Sequence, residues 1–257
     1  MNDKLSSMNP TGRFTNRVEN YVKFRPSYPP ELIQFLQTKA GLSSQAVVAD
    51  IGSGTGILTE LLLHNAKKVY AVEPNAAMRA AAEIKLSAVC NYQSIEGTAE
   101  HTTLANKSVH LITVAQAFHW MEPVATRKEF ERILDNRGHV ALIWNLRDNT
   151  APFMKEYEEL KMAFGKDYLD TKRADEETIT AFFRNDPMIV ESFPNPQLMD
   201  FTSLKGQLES ASYMPLEGEP RYEEMIATLE KLFNTYQQNG TIQMDFYTKV
   251  YMNRLPL

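Results

Sequence analysis

The stretch from Ala46 to Glu73 constrains this chain more than any other. Ala46-Val47-Val48-Ala49-Asp50-Ile51 is a short apolar run that ends in a carboxylate and opens into Gly52-Ser53-Gly54-Thr55-Gly56. Such a run, closed by a glycine cluster, reads as a buried parallel strand entering a tight turn. Leu58, Leu61 and Leu62 then recur at helical spacing, and Lys68-Val69-Tyr70-Ala71-Val72-Glu73 is a second strand ending in an acid. Glycines at such a turn let the backbone bend sharply and let a ligand rest on bare peptide groups. A dinucleotide fingerprint needs its third glycine one place later, where this chain has Ile57, so the spacing argues against NAD and FAD. Glu73 lies 17 residues (73 minus 56) beyond Gly56, at a strand end where a carboxylate can accept both hydroxyls of a ribose. Two strand-end features on neighbouring strands imply an adenosyl ligand across the crevice.

The alternation continues. Pro74 and Asn75 start a helix on which Met78, Ala81 and Ala82 can face the sheet, a short strand runs near Val89 to Gln93, and Val109 to Ala115 is a further apolar run. A helix around Val124, Phe130, Ile133 and Leu134 leads through Gly138 to a strand from His139 to Trp144. Strands separated by single helices predict right-handed crossovers and a parallel sheet covered on both faces. Beyond about residue 147 the pattern changes. Phe153, Tyr157, Leu160 and Phe164 mark one helix and Thr178 to Phe183 another, while Gln197 to Phe201 and Thr241 to Met252 read as strands flanking a helix from about Arg221 to Gln238. The expected fold is α/β: a doubly wound, mostly parallel seven-stranded sheet with an antiparallel edge strand and a helical cap insertion. The expected divisions are an N-terminal arm or lid over 1–30, a ligand-binding α/β core over 31–147, a helical cap over 148–200, and C-terminal strands and a helix completing the sheet over 201–257.

Composition narrows the function classes. The 257 residues are 43% hydrophobic, enough for one large domain or a domain with an insertion. Lys plus Arg number 27 against 32 Asp plus Glu, with the signs interspersed and no basic stripe, so nucleic acid is not an expected partner. The single cysteine, Cys90, excludes an internal disulfide and a zinc site built from several thiolates. In the run Ala88-Val89-Cys90 it reads as a buried small hydrophobe. Met1 to Pro10 lacks the apolar core of a signal peptide, and no stretch approaches the length of a membrane span, so a cytoplasmic protein is expected. The histidines His64, His101, His110 and His139 show no metal-ligand spacing, and no metal is expected.

Val48 to Gly56 resembles motif I of the class I S-adenosylmethionine (SAM) dependent methyltransferases, and Val69 to Pro74 resembles the acidic-loop motif that follows it. Tyr21 to Pro29, Glu96 to Glu100 and Ala115 to Trp120 are similar to segments of the branch that includes trans-aconitate methyltransferase-like enzymes. The likeness covers about residues 14 to 150. It implies SAM as cofactor, with Gly52, Ser53, Gly54, Thr55 and Gly56 against its methionine part, Asp50 anchoring its amino group through the loop, and Glu73 on the ribose beside Pro74. Met78 with Thr98, Ala99 and Glu100 would form the adenine slot, and Gln116 and Ala117 would line the methionine tail. The partner implied is a small-molecule methyl acceptor, methylated on a carboxylate or hydroxyl oxygen.

The aromatic arm carries Tyr21, Arg25 and Tyr28. A guanidinium can pair bidentately with a carboxylate, so Tyr21 and Arg25 are candidates for the cofactor and Tyr28 for the acceptor. Phe118, His119 and Trp120 follow the fourth strand, at the end of the sheet where active sites gather, and are candidates for the acceptor. His119 is the candidate general base, since an unperturbed imidazole titrates near neutrality; packing beside the cofactor is its alternative role. Trp144 and Arg147, just past the fifth strand, are candidates for the acceptor, Arg147 as partner of an acidic one. Two other readings are a SAM-binding protein without catalysis and, disfavoured by the glycine spacing, a nicotinamide-dependent oxidoreductase.

Overall fold

The computed structural model describes residues 23–166 and 175–255. Tyr21 of the arm and residues 167–174 of the expected cap lie outside the described residues. A seven-stranded sheet is built from β1 (Val47–Ile51), β2 (Lys68–Val72), β3 (Tyr92–Ile95), β4 (Val109–Ala115), β5 (Leu134–Arg147), β6 (Ile189–Pro194) and β9 (Phe246–Asn253), in the order β3-β2-β1-β4-β5-β9-β6. All pairings from β3 to β5 are parallel, while β9 is antiparallel to both β5 and β6. The antiparallel strand therefore lies one place in from the edge, and β6 is the edge. The strand order reverses between β1 and β4, which opens a crevice at their carboxyl ends.

Helices cover both faces. Leu32, Phe35 and Leu36 of α1 (Pro30–Ala40), Leu58 and Leu62 of α2 (Ile57–Leu63) and Leu86 of α3 (Ala76–Leu86) pack on one face against Val48, Val69, Leu111 and Ile143. Phe130 and Ile133 of α4 (Pro123–Ile133) and Ile179 and Phe182 of α6 (Glu176–Phe182) pack on the other against Ala49, Ile112, Leu142 and Trp144. The helix starts follow local chemistry. Pro30 opens α1, the Asn75 side chain accepts a hydrogen bond from Met78 N–H at the start of α3, and the Glu122 carboxylate accepts from Val124 and Ala125 N–H at the start of α4.

A third apolar cluster belongs to a cap. It joins Phe153, Tyr157 and Leu160 of α5 (Pro152–Phe164) to Leu204 and Leu208 of α7 (Phe201–Glu209), Met225 and Leu229 of α8 (Tyr222–Tyr236), and the two-stranded pair β7 (Gln197–Met199) with β8 (Ile242–Met244). The expected divisions change accordingly. Within 148–200, α6 covers the main sheet and β6 joins it, whereas the cap draws α7, α8 and β8 from beyond residue 200.

Two sequence expectations fail for physical reasons. Gln197 to Phe201 does not extend the main sheet: Asp200 caps α7 by accepting from Ser203 N–H at 2.7 Å, so the strand stops at Met199. The strand that does take the edge, Ile189–Pro194, was hidden because it is exposed along nearly its whole length and shows no alternation. Cys90 is exposed, because Val89 to Asn91 form the turn after α3 and β3 begins only at Tyr92. Among the described residues no helix is long and apolar enough to cross a membrane.

Candidate functional site

At the carboxyl end of β1 the chain turns over β2. Gly52 and Ser53 both donate backbone hydrogen bonds to Val72 O, at 2.8 and 3.2 Å. Gly52 has φ +67°, and a Cβ there would lie 2.6 Å from that of Ala117, so the close approach of the two loops requires glycine. Gly54 has φ +57°, yet an added Cβ would meet nothing within 4 Å. The free space beside Gly54 is part of a cavity of about 240 Å³ lined by Gly52, Gly54, Glu73, Pro74, Asn75, Met78, Thr98, Ala99, Glu100, Ala115, Gln116, Ala117, Trp120 and Met121.

Glu73 fixes one end of this cavity. Its Oε2 accepts from Gly54 N–H at 2.9 Å and its Oε1 from Asn75 N–H at 2.8 Å, so one carboxylate ties the glycine turn to the start of α3. Burial raises its pKa from the ordinary glutamate value, against the lowering effect of those two bonds and of Arg79. Each oxygen keeps a second lone pair for a ligand hydroxyl. Glu100, also in the lining, accepts from Glu122 N–H at 2.9 Å, which fixes the Thr98 to Glu100 turn to the start of α4. Gln116, in the left-handed region at φ +58°, donates from its side chain to Asn145 O at 3.2 Å. A non-glycine residue held there is a local strain of the kind found beside ligand sites.

Asp50 lies beneath the loop, fully buried, and accepts from Thr59 Oγ1 at 2.6 Å and Thr113 Oγ1 at 2.7 Å. Burial, together with the nearby Glu73 charge, outweighs these two bonds and raises its pKa from 3.8 to about 6. The folded state therefore holds a proton that the unfolded chain releases at lower pH. Stability from this group is greatest below pH 4 and falls as pH rises from about 4 to about 6, by about 3 kcal/mol in total. Asp50→Asn is expected to flatten that slope and to be about 1–2 kcal/mol more stable than the parent at pH 8. Urea unfolding at intervals from pH 4 to 8 tests this, and an unchanged slope would remove the charge of Asp50 as its cause.

The structure thus gathers most of the expected cofactor residues, namely Gly52, Gly54, Glu73, Pro74, Met78, Thr98, Ala99, Glu100, Gln116 and Ala117, into one wall, and adds Trp120. It leaves others outside that wall. Asp50 supports the loop from below, Thr55 is buried, and Gly56 backs onto Leu86, where a Cβ would lie 2.7 Å from Leu86 Cδ1. Ser53 is not part of the lining. Of the acceptor candidates, Phe118 and Trp144 are core: Phe118 packs edge-on to Phe182 and Trp144, and Trp144 edge-on to Tyr251. Both were misplaced because a strand-end aromatic reads the same in sequence whichever face of the sheet it takes. Tyr28 packs against the α1 side of the core. His119 sits in a single 3₁₀ turn (Phe118–Trp120) with its ring 4.8 Å from that of Trp120, and it is not in the cavity wall. Asn75, Ala115 and Met121 were missed. Only Asn75 carried a signal, as an asparagine capping α3.

The arm is strapped to the sheet beside this wall. Asn145 Nδ2 donates to Pro26 O and Ser27 O at 3.3 and 3.1 Å, Asn195 Nδ2 donates to Ser27 O at 2.8 Å, and Thr248 Oγ1 donates to Asn145 Oδ1 at 2.6 Å. Phe24 packs so close to Gly206 of α7 that an added Cβ would clash with its ring, and Arg25 Nη2 donates to Ser210 O at 3.2 Å. Asn145→Ala removes the shared node of this strap and is expected to cost about 1–3 kcal/mol. The signature is faster trypsin cleavage after Lys23, and a parental cleavage rate would show that the strap does not hold the arm. Among the described residues no group of three or more His, Cys, Asp or Glu is placed to hold a metal ion.

Comparison with known proteins agrees with this geometry. Residues 49–142, from β1 into β5, match the methyltransferase domain family. An uncharacterized methyltransferase of Mycobacterium bovis is 36% identical over 147 residues, 57% of this chain, and the chain spans 58% of that relative's length. An uncharacterized methyltransferase of Schizosaccharomyces pombe is 27% identical over 237 residues, covering 91% of this chain and 92% of that protein. A solved chain from Anaeromyxobacter dehalogenans, described as a type II methyltransferase, superposes with a TM-score of 0.67 over 91% of this chain and 99% of its own at 18% identity, which shows a shared fold. The glycine turn, the acid closing β2, the strands β2, β3 and β4 and most of β1 lie within the segment that matches the methyltransferase domain family.

Proposed function

We propose that the protein transfers a methyl group from SAM to a carboxylate or hydroxyl oxygen of a small organic acceptor in the cytoplasm. The observation that carries the cofactor reading is Glu73, a buried carboxylate held by Gly54 and Asn75 N–H in the wall of a 240 Å³ cavity that Thr98 to Glu100 also line. That cavity suits a nucleoside: an acceptor pair for ribose hydroxyls, the apolar Met78 and Ala99 beside a base, and bare backbone at Gly52 and Gly54 for the amino-acid tail. The match over 49–142 supports the same reading, and the segments Tyr21 to Pro29, Glu96 to Glu100 and Ala115 to Trp120, which resemble the trans-aconitate methyltransferase-like branch, are in keeping with it. Bound SAM supplies an electrophilic methyl on a sulfonium. Its transfer is an in-line displacement, so the task of the chain's own residues is to align the acceptor and exclude water.

In this reading positioning outweighs base catalysis. His119→Asn is therefore expected to keep kcat within about tenfold of the parent, whereas loss of a general base costs about 10²- to 10⁴-fold. The test is release of S-adenosylhomocysteine across a panel of small carboxylic acids and phenols, followed by the variant on whichever acceptor turns over. A loss of 100-fold or more would restore His119 as the base. SAM binding without turnover on any acceptor would favour a binding protein.

A further inference from the structure

Beyond the cavity wall the sheet carries a second polar centre. Ile143 of β5 pairs with Ala115 of the wall, Asn145 accepts the side chain of Gln116, and Arg147 follows two residues later on the same side of the strand, about 7 Å further on. Arg147 is three-quarters buried, its side chain 22% exposed. Its Nε lies 3.5 Å from Glu158 Oε2, too long for a hydrogen bond, and is buried without one. The same oxygen is already taken by Lys161 Nζ at 2.7 Å, with only 2% of the Lys161 side chain exposed. Two cations converge on one carboxylate oxygen, and the better contact belongs to Lys161.

We propose that Arg147 is an oxyanion subsite of the acceptor pocket, and that the acceptor carries a carboxylate or phosphate group held there. A guanidinium engaged only at long range by an already occupied carboxylate keeps its fork for a planar or tetrahedral oxyanion. The inference rests on the methyltransferase reading, since the acceptor must lie against the cofactor cavity.

The test is calorimetric titration of the protein saturated with S-adenosylhomocysteine, using benzoate, hexanoate and succinate, their uncharged amides, and phenyl phosphate. At least one oxyanion is expected to bind at least tenfold more tightly than its amide, or than benzamide for phenyl phosphate, and the carboxylate and phosphate arms name the preferred group. Arg147→Met is expected to lower that affinity at least tenfold with S-adenosylhomocysteine affinity unchanged, Arg147→Lys to keep part of it, and Glu158→Gln to strengthen it by removing the charge that competes for Arg147. No preference for oxyanions over amides, or an unchanged preference in Arg147→Met, would overturn the subsite. So would a Glu158→Gln variant that weakens binding as much as Arg147→Met, because the pair would then be structural. Absence of S-adenosylhomocysteine binding would instead overturn the methyltransferase reading itself.

Discussion

Gly54→Val is expected to abolish SAM binding while the sheet stays folded. Gly54 is at φ +57°, and the space its missing side chain would fill is empty and belongs to the cavity. A β-branched side chain there fills ligand volume and strains the backbone by about 1–2 kcal/mol, a fall of roughly 2–8 °C in Tm for a chain of this size. The expected loss in affinity is about 100-fold or more, equal to about 2.7 kcal/mol or more. Gly54→Ala separates the two effects. It carries much of the same strain but only one added carbon, so it is expected to lose affinity by a much smaller factor. Calorimetry for affinity and thermal melts for folding make the check, and a folded Gly54→Val protein with parental affinity would place the ligand elsewhere.

Glu73→Ala is expected to weaken SAM by about 1–3 kcal/mol, or roughly 5- to 150-fold, the range for stripping a partner from buried polar groups. The mechanism is twofold. The variant loses the acceptor for the ribose hydroxyls, and it releases Gly54 and Asn75 N–H, whose hydrogen bonds at 2.9 and 2.8 Å hold the loop against α3. Glu73→Gln keeps one acceptor oxygen and is expected to fall between parent and alanine. The carboxylate must be ionised to accept from both hydroxyls, and burial raises its pKa. Affinity should therefore be full above that pKa and fall as pH is lowered through it, a dependence that Glu73→Gln removes. Measuring the dissociation constant from pH 5 to 8 in an Asp50→Asn background keeps the buried neighbour, which titrates near 6, from contributing. An unchanged dissociation constant in Glu73→Ala would take Glu73 out of the site.

Both residues were legible in the sequence because strand-end chemistry is local. An apolar run that stops at a glycine cluster, and a second that stops at an acid, fix the turn and the carboxylate without knowledge of anything distant. The core strands β1, β2 and β4 followed for the same reason, since buried parallel strands are unbroken apolar runs. What failed depended on distant packing. Phe118 and Trp144 carry the right residue types at the right strand ends, yet their rings turn into the aromatic layer made with Phe182 and Tyr251. The edge strand Ile189–Pro194 has no hydrophobic period because little covers it: Ile189 and Val190 are 41% and 44% exposed. The cap was placed too early in the chain because its core joins α5 to α7 and α8, which begin 37 (201 minus 164) and 58 (222 minus 164) residues beyond the end of α5, and no local pattern announces such a pairing. Arg147 was read as a partner of an acidic substrate, but the crowding of Glu158 by Lys161 is visible only in three dimensions.

The most direct test of the central claim, an adenosyl cofactor held between the Gly52–Gly54 turn and Glu73, is calorimetric titration of the purified protein with SAM and S-adenosylhomocysteine, with NADH as control. The account predicts micromolar binding of both sulfur ligands at one site per chain and none of NADH. No binding of either, or binding of NADH alone, would contradict it.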